Sequence, residues 1–218
     1  MKIVPPCVEL LACTPDPELL IERCGRVAYK SEDRIGELSA ERFIKMIMKR
    51  GHTSVIEHAS ATLLFTTDRG VTHEAVRHRL AAFTQESTRY CGYDKGKFGN
   101  EISVLQPPFV GSEDDIRNAI AEWTLAMLDA ERHYLNLRTE CHQPPEIARS
   151  VLPNSLKADI AISANFREWV HILDLRTSKY AHPQIREVML EAAAQLYCQA
   201  PTVFGNVYNA ALELTRED

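Results

Sequence analysis

The sequence lacks long apolar runs, paired cysteine motifs and an excess of positive charge. No apolar run approaches the roughly 18 residues of a membrane-spanning helix, which argues against an integral membrane protein. The six cysteines include no Cys-x-x-Cys pair, so neither a zinc ribbon nor a thioredoxin-type site is indicated. The formal net charge is −5, which disfavours a basic nucleic-acid coat protein.

Glycine is also sparse, with nine residues in 218. The glycines of residues 92–99 form neither the dinucleotide-binding fingerprint nor a P-loop, so neither nucleotide-binding fold is supported. Scattered cysteines without a pairing pattern are typical of reduced thiols in a cytosolic protein. We therefore expect a cytoplasmic protein that binds neither a membrane nor nucleic acid.

Hydrophobic residues make up 45% of the chain and charged residues 25%, as in an ordinary globular protein. The patterns predict one α+β domain over residues 1–218, with a mixed or antiparallel sheet, several helices and more helix than strand. Strands are predicted at 7–13, 59–67, 102–105 and 156–164, and residues 81–100 as turn and loop. Helices are predicted from 15–17 to about 29, from 39 to 50, 71–80, 112–141, 144–151, 166–179, 183–199 and from 201 onward. Ser39 and Ser112 are expected to cap helices, Gly51 to end one and Gly70 to end a strand.

Arg77, His78 and Arg79 stand in a row at the end of the predicted helix 71–80. Consecutive helical residues point about 100° apart, so these three side chains are not expected to serve one pocket of one chain. They could instead serve several faces or several subunits. A solvated basic helix end, which also suits the helix dipole, is the alternative interpretation.

Histidines near residues 52–78 raise the question of a metal site. His52 and His58 are six residues apart and have no third ligand at a standard spacing. His73 and His78 are five residues apart, whereas the zinc helix motif needs four, so the second ring would point about 140° away. We therefore expect no metal.

Polar residues also recur along the predicted helix 166–179. Arg167 and His171 are spaced by four and share a helix face, and Arg176 lies a little over one turn beyond. An amphipathic helix with ordinary surface residues is the alternative interpretation.

Taken together, these stretches resemble the flavin-dependent thymidylate synthase family. The family signature, Arg-His-Arg followed by seven residues and Ser, matches Arg77-His78-Arg79 and Ser87, and it continues with Arg89-Tyr90. Residues 51–58, 147–153 and 165–176 match three further motifs in order. The resemblance is close over about residues 50–185. Many relatives carry Ser, Asn and Glu at the positions of Ala82, Thr84 and Gln85, and some carry Asn at the position of His171.

The resemblance implies the reductive methylation of dUMP to dTMP. Methylenetetrahydrofolate would give the carbon, FAD would carry the hydride, and NADPH would reduce the flavin. The resemblance also implies a homotetramer whose active sites combine several subunits.

The resemblance also assigns site residues, and the residue types agree, because arginines bind phosphates through charge-assisted hydrogen bonds. The predicted catalytic residues are Arg176, which would polarise the uracil ring, and Ser87. The predicted dUMP-binding residues are Glu74, Arg77, Gln85, Glu86, Ser87, Thr88, Arg89, Arg149 and Arg176. The predicted FAD-binding residues are His52, Ser54, Arg77, His78, Arg79, Gln85, Asn165, Arg167 and His171.

Ser87 is not expected to attack dUMP covalently. A serine nucleophile needs an adjacent general base, and His78 is nine residues away with no third residue nearby to orient it. The guanidinium of Arg89 stays protonated and cannot accept a proton.

Two other functions remain open at this point. A non-catalytic nucleotide-binding or regulatory domain would be colourless and free of flavin. A metal-dependent hydrolase that uses the histidine-rich segments would contain stoichiometric zinc.

Overall fold

The computed structural model describes residues 1–217, with side chains as far as residue 214. Within those residues it contains six strands and eight α-helices, which confirms the α+β class with more helix than strand. The strands are β1 (Lys2–Ile3), β2 (Cys7–Cys13), β3 (Ser60–Asp68), β4 (Ala82–Gln85), β5 (Ser103–Val104) and β6 (Lys157–Asn165). The helices are α1 (Pro17–Val27), α2 (Ser39–Lys49), α3 (Arg69–Ala75), α4 (Glu113–Thr139), α5 (Pro145–Ala148), α6 (Phe166–Arg176), α7 (Pro183–Gln199) and α8 (Pro201–Glu217).

Four strands form one sheet in the order β2-β3-β6-β4, and β1 pairs in parallel with β5. The chain divides into two compact units, each built from discontinuous segments. The first unit comprises Met1–Cys7, Thr66–Ala75 and Thr84–Ile160, and the second comprises Val8–Phe65, Val76–Phe83 and Ala161–Asp218. That a single domain extends over all of residues 1–218 stays a prediction.

The first unit is organised by the long helix α4. Ser112 caps this helix as predicted: its hydroxyl accepts the backbone N–H of Asp115, whose carboxylate in turn accepts the N–H of Ser112. The buried side chains of Met127 and Tyr134 connect α4 to the core of this unit. That core consists of Tyr93, Ile102, Val104, Met127, Tyr134, Ala148 and Leu156.

The second unit packs helices against strand residues of β3 and β6. Trp169 on α6 is fully buried, and its indole N–H donates to the carbonyl oxygen of Ala61 at 3.0 Å. On α1, Gly25 allows a close approach, because a Cβ at this position would lie 2.5 Å from the ring of Phe43 on α2. The Trp169 contact holds α6, which carries several predicted site residues, against β3.

Most predicted elements are present, and the differences have identifiable causes. α3 ends at Ala75 instead of residue 80, because residues 82–85, predicted as loop, join the sheet as β4. Gly70 lies inside α3 and does not end β3. Helix α2 has Leu38 at its N-cap, with a φ of 56°, and the hydroxyl of Ser39 donates instead to Glu22. Gly51 follows α2 with a φ of 72°, the left-handed conformation expected for a glycine that ends a helix.

Candidate active site

Arg77, His78 and Arg79 lie in the irregular turn after α3 and all line one cavity of about 690 Å³. The expectation that they cannot serve one pocket of one chain is therefore wrong. That expectation assumed helical directions, but the helix has ended before Arg77. We call this space the arginine cavity. Its other lining residues are Glu57, Leu80, Asn165, Arg167, Glu168 and His171.

Strand β6 and helix α6 supply one wall of the arginine cavity. Asn165 ends β6, and its side-chain oxygen caps α6 by accepting the N–H of Glu168 at 2.9 Å. Arg167 and His171 follow one turn apart on α6 and both line the cavity, as their spacing predicted. Three predicted FAD-binding residues are therefore placed by a single strand-to-helix junction.

The arginine cavity carries an excess of positive charge. Arg167 pairs with Glu57 at 2.5 Å, whereas Arg77 and Arg79 form no ion pair with any side chain up to residue 214. The N-terminus of α6 adds the partial positive charge of the helix dipole. Such surroundings favour an anionic ligand.

His78 is the buried histidine of this turn, with 6% of its surface exposed. Burial, and then the charge of Arg176 and the neighbouring ring of His171, lower the pKa of His78 from 6.5 to about 4. Its Nδ1 lies 3.9 Å from the carboxylate of Glu168, but at neutral pH the imidazole is uncharged and the two do not form an ion pair. His78 is therefore a neutral hydrogen-bonding group.

Arg176 is the last residue of α6 and contacts His78 directly. Its Nε–H donates to Nε2 of His78 at 2.9 Å, although 98 residues separate the two in sequence. The predicted catalytic arginine is thus joined to the signature turn by a hydrogen bond.

A second cavity, of about 360 Å³, lies in the first unit. We call it the Arg149 cavity, since Nη1 of Arg149 donates to the hydroxyl of Thr88 at 3.3 Å within it. Among the described residues no carboxylate lines it, which makes it suited to an anion. The lining residues are Arg69, His73, Thr88, Arg149, Ser150, Leu152, Pro153 and Asn154.

Arg69 is not among the site residues predicted from the sequence. It is the first residue of α3, and its Nη1 is buried with no hydrogen-bond partner in the described part of the chain. A buried polar group without a partner costs about 1–3 kcal/mol, and more when it is charged, so this atom is poised for a ligand. The available signal was an arginine at the junction of a predicted strand and a predicted helix.

Ser87 begins a tight turn in the first unit. Its carbonyl oxygen accepts the N–H groups of Tyr90 and Cys91, and its hydroxyl accepts the N–H of Arg89 at 3.3 Å. Arg89 is exposed, and its guanidinium carbon lies 5.5 Å from the centre of the Tyr90 ring. Among the side chains described, no general base is hydrogen-bonded to the Ser87 hydroxyl.

Glu86 belongs to a network in the first unit, and this network lies along a separate cavity of about 430 Å³. Its carboxylate accepts hydrogen bonds from Lys157 at 3.0 Å and from the Tyr93 hydroxyl at 2.9 Å. Lys157 also pairs with Asp159. Although burial favours the neutral amine, hydrogen bonds to Asp159 and Glu86 raise the pKa of Lys157. Glu86 thus anchors the start of the Ser87 turn, and its contact with dUMP stays a prediction.

The remaining predicted site residues occupy other places. Gln85 donates its amide N–H to the Thr72 hydroxyl at 2.9 Å. Glu74 lies on α3. His52 and Ser54, at the start of the 3₁₀ helix Thr53–His58, are exposed and do not line the arginine cavity.

Two kinds of feature are absent from the part of the chain that the structure describes. No group of three histidine, cysteine, aspartate or glutamate side chains in it is arranged to hold a metal ion. No helix in it is both long and apolar enough to cross a membrane.

Comparison with known proteins gives consistent matches. Residues 9–202 match the family described as "Thymidylate synthase complementing protein". The flavin-dependent thymidylate synthase of Corynebacterium glutamicum is 34% identical, over 91% of this chain and 88% of its own length. The enzyme of the same name from Mycobacterium tuberculosis is 30% identical, over 94% and 85% of the two chains.

Solved structures share the fold. The UMP/dUMP methylase PolB from Streptomyces cacaoi, bound with 5-Br dUMP, matches with a TM-score of 0.78 and 25% identity, over 96% of this chain and 97% of its own. Thymidylate synthase X from Helicobacter pylori, with FAD and dUMP, matches with a TM-score of 0.74 and 20% identity, over 92% and 98%. On the family match and these relatives, the chain belongs to the flavin-dependent thymidylate synthases and is a methyl-transferring enzyme.

Proposed function

We propose that this enzyme converts dUMP to dTMP, with methylenetetrahydrofolate as the carbon donor, FAD as the hydride carrier and NADPH as the reductant. The names of the relatives support flavin dependence and thymidylate synthesis. The similarity to PolB, a UMP/dUMP methylase bound with 5-Br dUMP, supports a uridine nucleotide as the methyl acceptor. The folate and the reductant rest on the family resemblance alone.

The observation that carries the nucleotide assignment is the Arg149 cavity. It brings two guanidinium groups, from Arg69 and Arg149, to a space that no described carboxylate lines. The buried Nη1 of Arg69 lacks a partner among the described residues. A nucleoside monophosphate carries a dianion whose oxygens would satisfy both guanidinium groups, and Thr88 and Ser150 offer hydroxyls for the remaining contacts.

The arginine cavity fits part of a flavin dinucleotide. Its volume is in the usual range for sites that bind nucleotide-sized ligands. Arg77 and Arg79 would hold the pyrophosphate, together with Arg167 once its pairing with Glu57 is exchanged. Asn165 and His171 would add hydrogen bonds at the same wall. When bound, the flavin supplies the hydride for the reduction.

Arg176 has the properties needed to polarise the uracil ring. Its guanidinium is permanently charged and is held by His78. Placed beside N3 and an adjoining carbonyl oxygen of uracil, it would stabilise negative charge there and activate C5 toward carbon transfer. His78 would act here as a neutral hydrogen-bond acceptor and not as a proton donor.

The Ser87 turn favours a binding role without covalent attack. Because no base is hydrogen-bonded to the Ser87 hydroxyl within the described residues, this serine is not activated as a nucleophile. Its hydroxyl can instead bond the nucleotide and set its pose. We also propose a cytoplasmic homotetramer with sites shared between subunits, and a reaction that requires no metal.

The visible absorption spectrum of the purified protein tests the proposal. We expect the bands of bound flavin, a change in those bands on addition of dUMP, and dTMP formation when methylenetetrahydrofolate and NADPH are supplied. A colourless protein that binds dUMP without turnover would favour the non-catalytic nucleotide-binding domain. Stoichiometric zinc with hydrolytic activity would favour the hydrolase.

A further inference from the structure

The contact between His78 and Arg176 defines which ring nitrogen of His78 carries its proton. Nε2 receives the Nε–H of Arg176 at 2.9 Å, so Nε2 must present a lone pair. A neutral imidazole then carries its hydrogen on Nδ1. Nδ1 is the atom on the side of the Glu168 carboxylate, 3.9 Å away. The negative charge of Glu168 favours a hydrogen on that side.

The groups packed around the His78 ring favour the neutral form with its hydrogen on Nδ1. Glu168 is 6% exposed, like His78 itself, and the ring of His171 packs edge-on with the centroids 6.0 Å apart. The charged and titratable groups that the described contacts place around His78 include Arg176, Glu168 and His171 on α6, with Arg77 and Arg79 beside it along the chain. A protonated ring would place an N–H against the Arg176 Nε–H, with two positive charges in contact.

We propose that His78 is a positioning residue for Arg176, which it holds through its Nε2 lone pair while Glu168 sets the ring's tautomer. This role rests on the proposed function, in which Arg176 acts on the uracil. Arg176 is half-buried and is the last residue of α6. The bond from His78 is one of the contacts that hold the guanidinium in place. A displacement of about 1 Å at a reacting centre can cost on the order of 10²-fold in rate.

Three variants test the role in turnover: His78→Leu, His78→Gln and Arg176→Ala. We expect His78→Leu to lower kcat by roughly 10- to 100-fold, with less effect on dUMP affinity and with flavin retained. His78→Gln should recover most of kcat, because its amide oxygen can accept from Arg176. In the Arg176→Ala background, His78→Leu should cause no further loss, since the group it positions is absent.

Loss of flavin in His78→Leu would overturn the proposal, because His78 would then act on the cofactor. Independent, multiplying losses in the double variant would overturn it as well. The matched control is His133→Gln. His133 is an exposed histidine on α4 with no contact to Arg176, so this variant should behave as wild type.

A measurement that does not depend on turnover keeps this proposal separate from the proposed function. In full-length enzyme labelled with ¹⁵N-histidine, the His78 signals, assigned by their absence in His78→Gln, should show an unprotonated Nε2 and a protonated Nδ1 at pH 7. A hydrogen on Nε2, or a charged ring at pH 7, would overturn the inference even if dTMP is formed. Absence of dTMP formation with the expected tautomer would contradict the proposed function and leave the contact itself established.

Discussion

Arg69 and Arg149 are held differently within the same cavity. Arg149 already bonds Thr88, whereas Nη1 of Arg69 is buried without a partner in the described part of the chain. No hydrogen bond within the described residues offsets the desolvation of this Nη1 atom, and a bound anion would offset it. A ligand that accepts a hydrogen bond from this atom gains more binding free energy than a ligand that binds an exposed arginine.

We predict that Arg69→Ala raises the KM for dUMP on the order of 10- to 100-fold, with flavin content unchanged. Charge-assisted hydrogen bonds contribute about 1.5–3 kcal/mol, and each 1.4 kcal/mol is a factor of ten. Steady-state kinetics at varied dUMP would measure this. Arg117→Ala, which removes the same charge from an exposed site on α4, is the control. An unchanged KM in Arg69→Ala would remove this residue from the nucleotide site.

Ser87→Ala should weaken dUMP binding and slow turnover, yet leave measurable dTMP. The hydroxyl is assigned a hydrogen bond to the nucleotide, and the described residues provide no base to activate it. Mass spectrometry of enzyme quenched during turnover with labelled dUMP should show no adduct. A uracil adduct on Ser87, or complete loss of activity with dUMP still bound, would show that the serine is a nucleophile.

At the scale of elements, helices α1 and α2 are joined by a buried carboxylate. Glu22 on α1 is fully buried and accepts hydrogen bonds from Arg26 at 2.6 and 2.9 Å. It also accepts from the hydroxyl of Ser39, the first residue of α2, at 2.6 Å. The same hydroxyl accepts the N–H of Gly36. The start of α2 therefore depends on a side chain of α1 and not on a cap of its own.

We predict that Glu22→Gln lowers the free energy of unfolding by about 3 kcal/mol, because it leaves the half-buried Arg26 without its counter-charge. Chemical denaturation followed by circular dichroism would measure the change. Glu41→Gln on α2 is a matched control, since Glu41 pairs with Lys45 at the same spacing but on the surface, and we expect little change there. Equal losses in the two variants would refute the role assigned to burial.

At the scale of the whole molecule, the unfolding free energy should depend on pH through His78. The folded chain lowers the pKa of His78 to about 4, mainly through burial, whereas the unfolded chain restores about 6.5. Between these values the unfolded state binds the extra proton, so the contribution of His78 to stability is greatest above pH 6.5 and falls as the pH decreases to 4. The loss attributable to His78 is about 3 kcal/mol.

Denaturation curves collected between pH 4 and pH 7 would test this dependence. In His78→Gln the unfolding free energy should depend less steeply on pH between 4 and 6.5, because glutamine does not titrate. His133→Gln should keep the wild-type slope. The same slope in all three proteins would exclude His78 as its source.

Assembly is the second prediction at this scale. The family resemblance implies a homotetramer, and exposed apolar side chains such as Leu125 and Leu128 on α4 are suited to an interface. Light scattering coupled to gel filtration should give a mass of about four chains. A monomer that still holds one flavin per chain would contradict sites shared between subunits.

The sequence by itself determined the family, the α+β class and most element boundaries. The predicted bounds of β2 and α7 and the predicted capping of α4 by Ser112 match the structure. Each depends on residues that lie close together in the sequence. The motif order also selected Arg77, Arg79, Asn165, Arg167 and His171, which the structure brings to one cavity.

Only the tertiary structure decided how those residues are used. The pairing of β4 in the sheet ended α3 at Ala75 and so turned three consecutive side chains toward one space. The neutral state of His78 and its bond to Arg176 depend on burial by a helix about 90 residues later in the chain. The burial of Nη1 of Arg69 without a partner among the described residues is likewise set by tertiary packing. Local patterns determine where elements begin and end, but burial, charge state and unmet hydrogen bonds arise from contacts between distant segments, which local patterns do not encode.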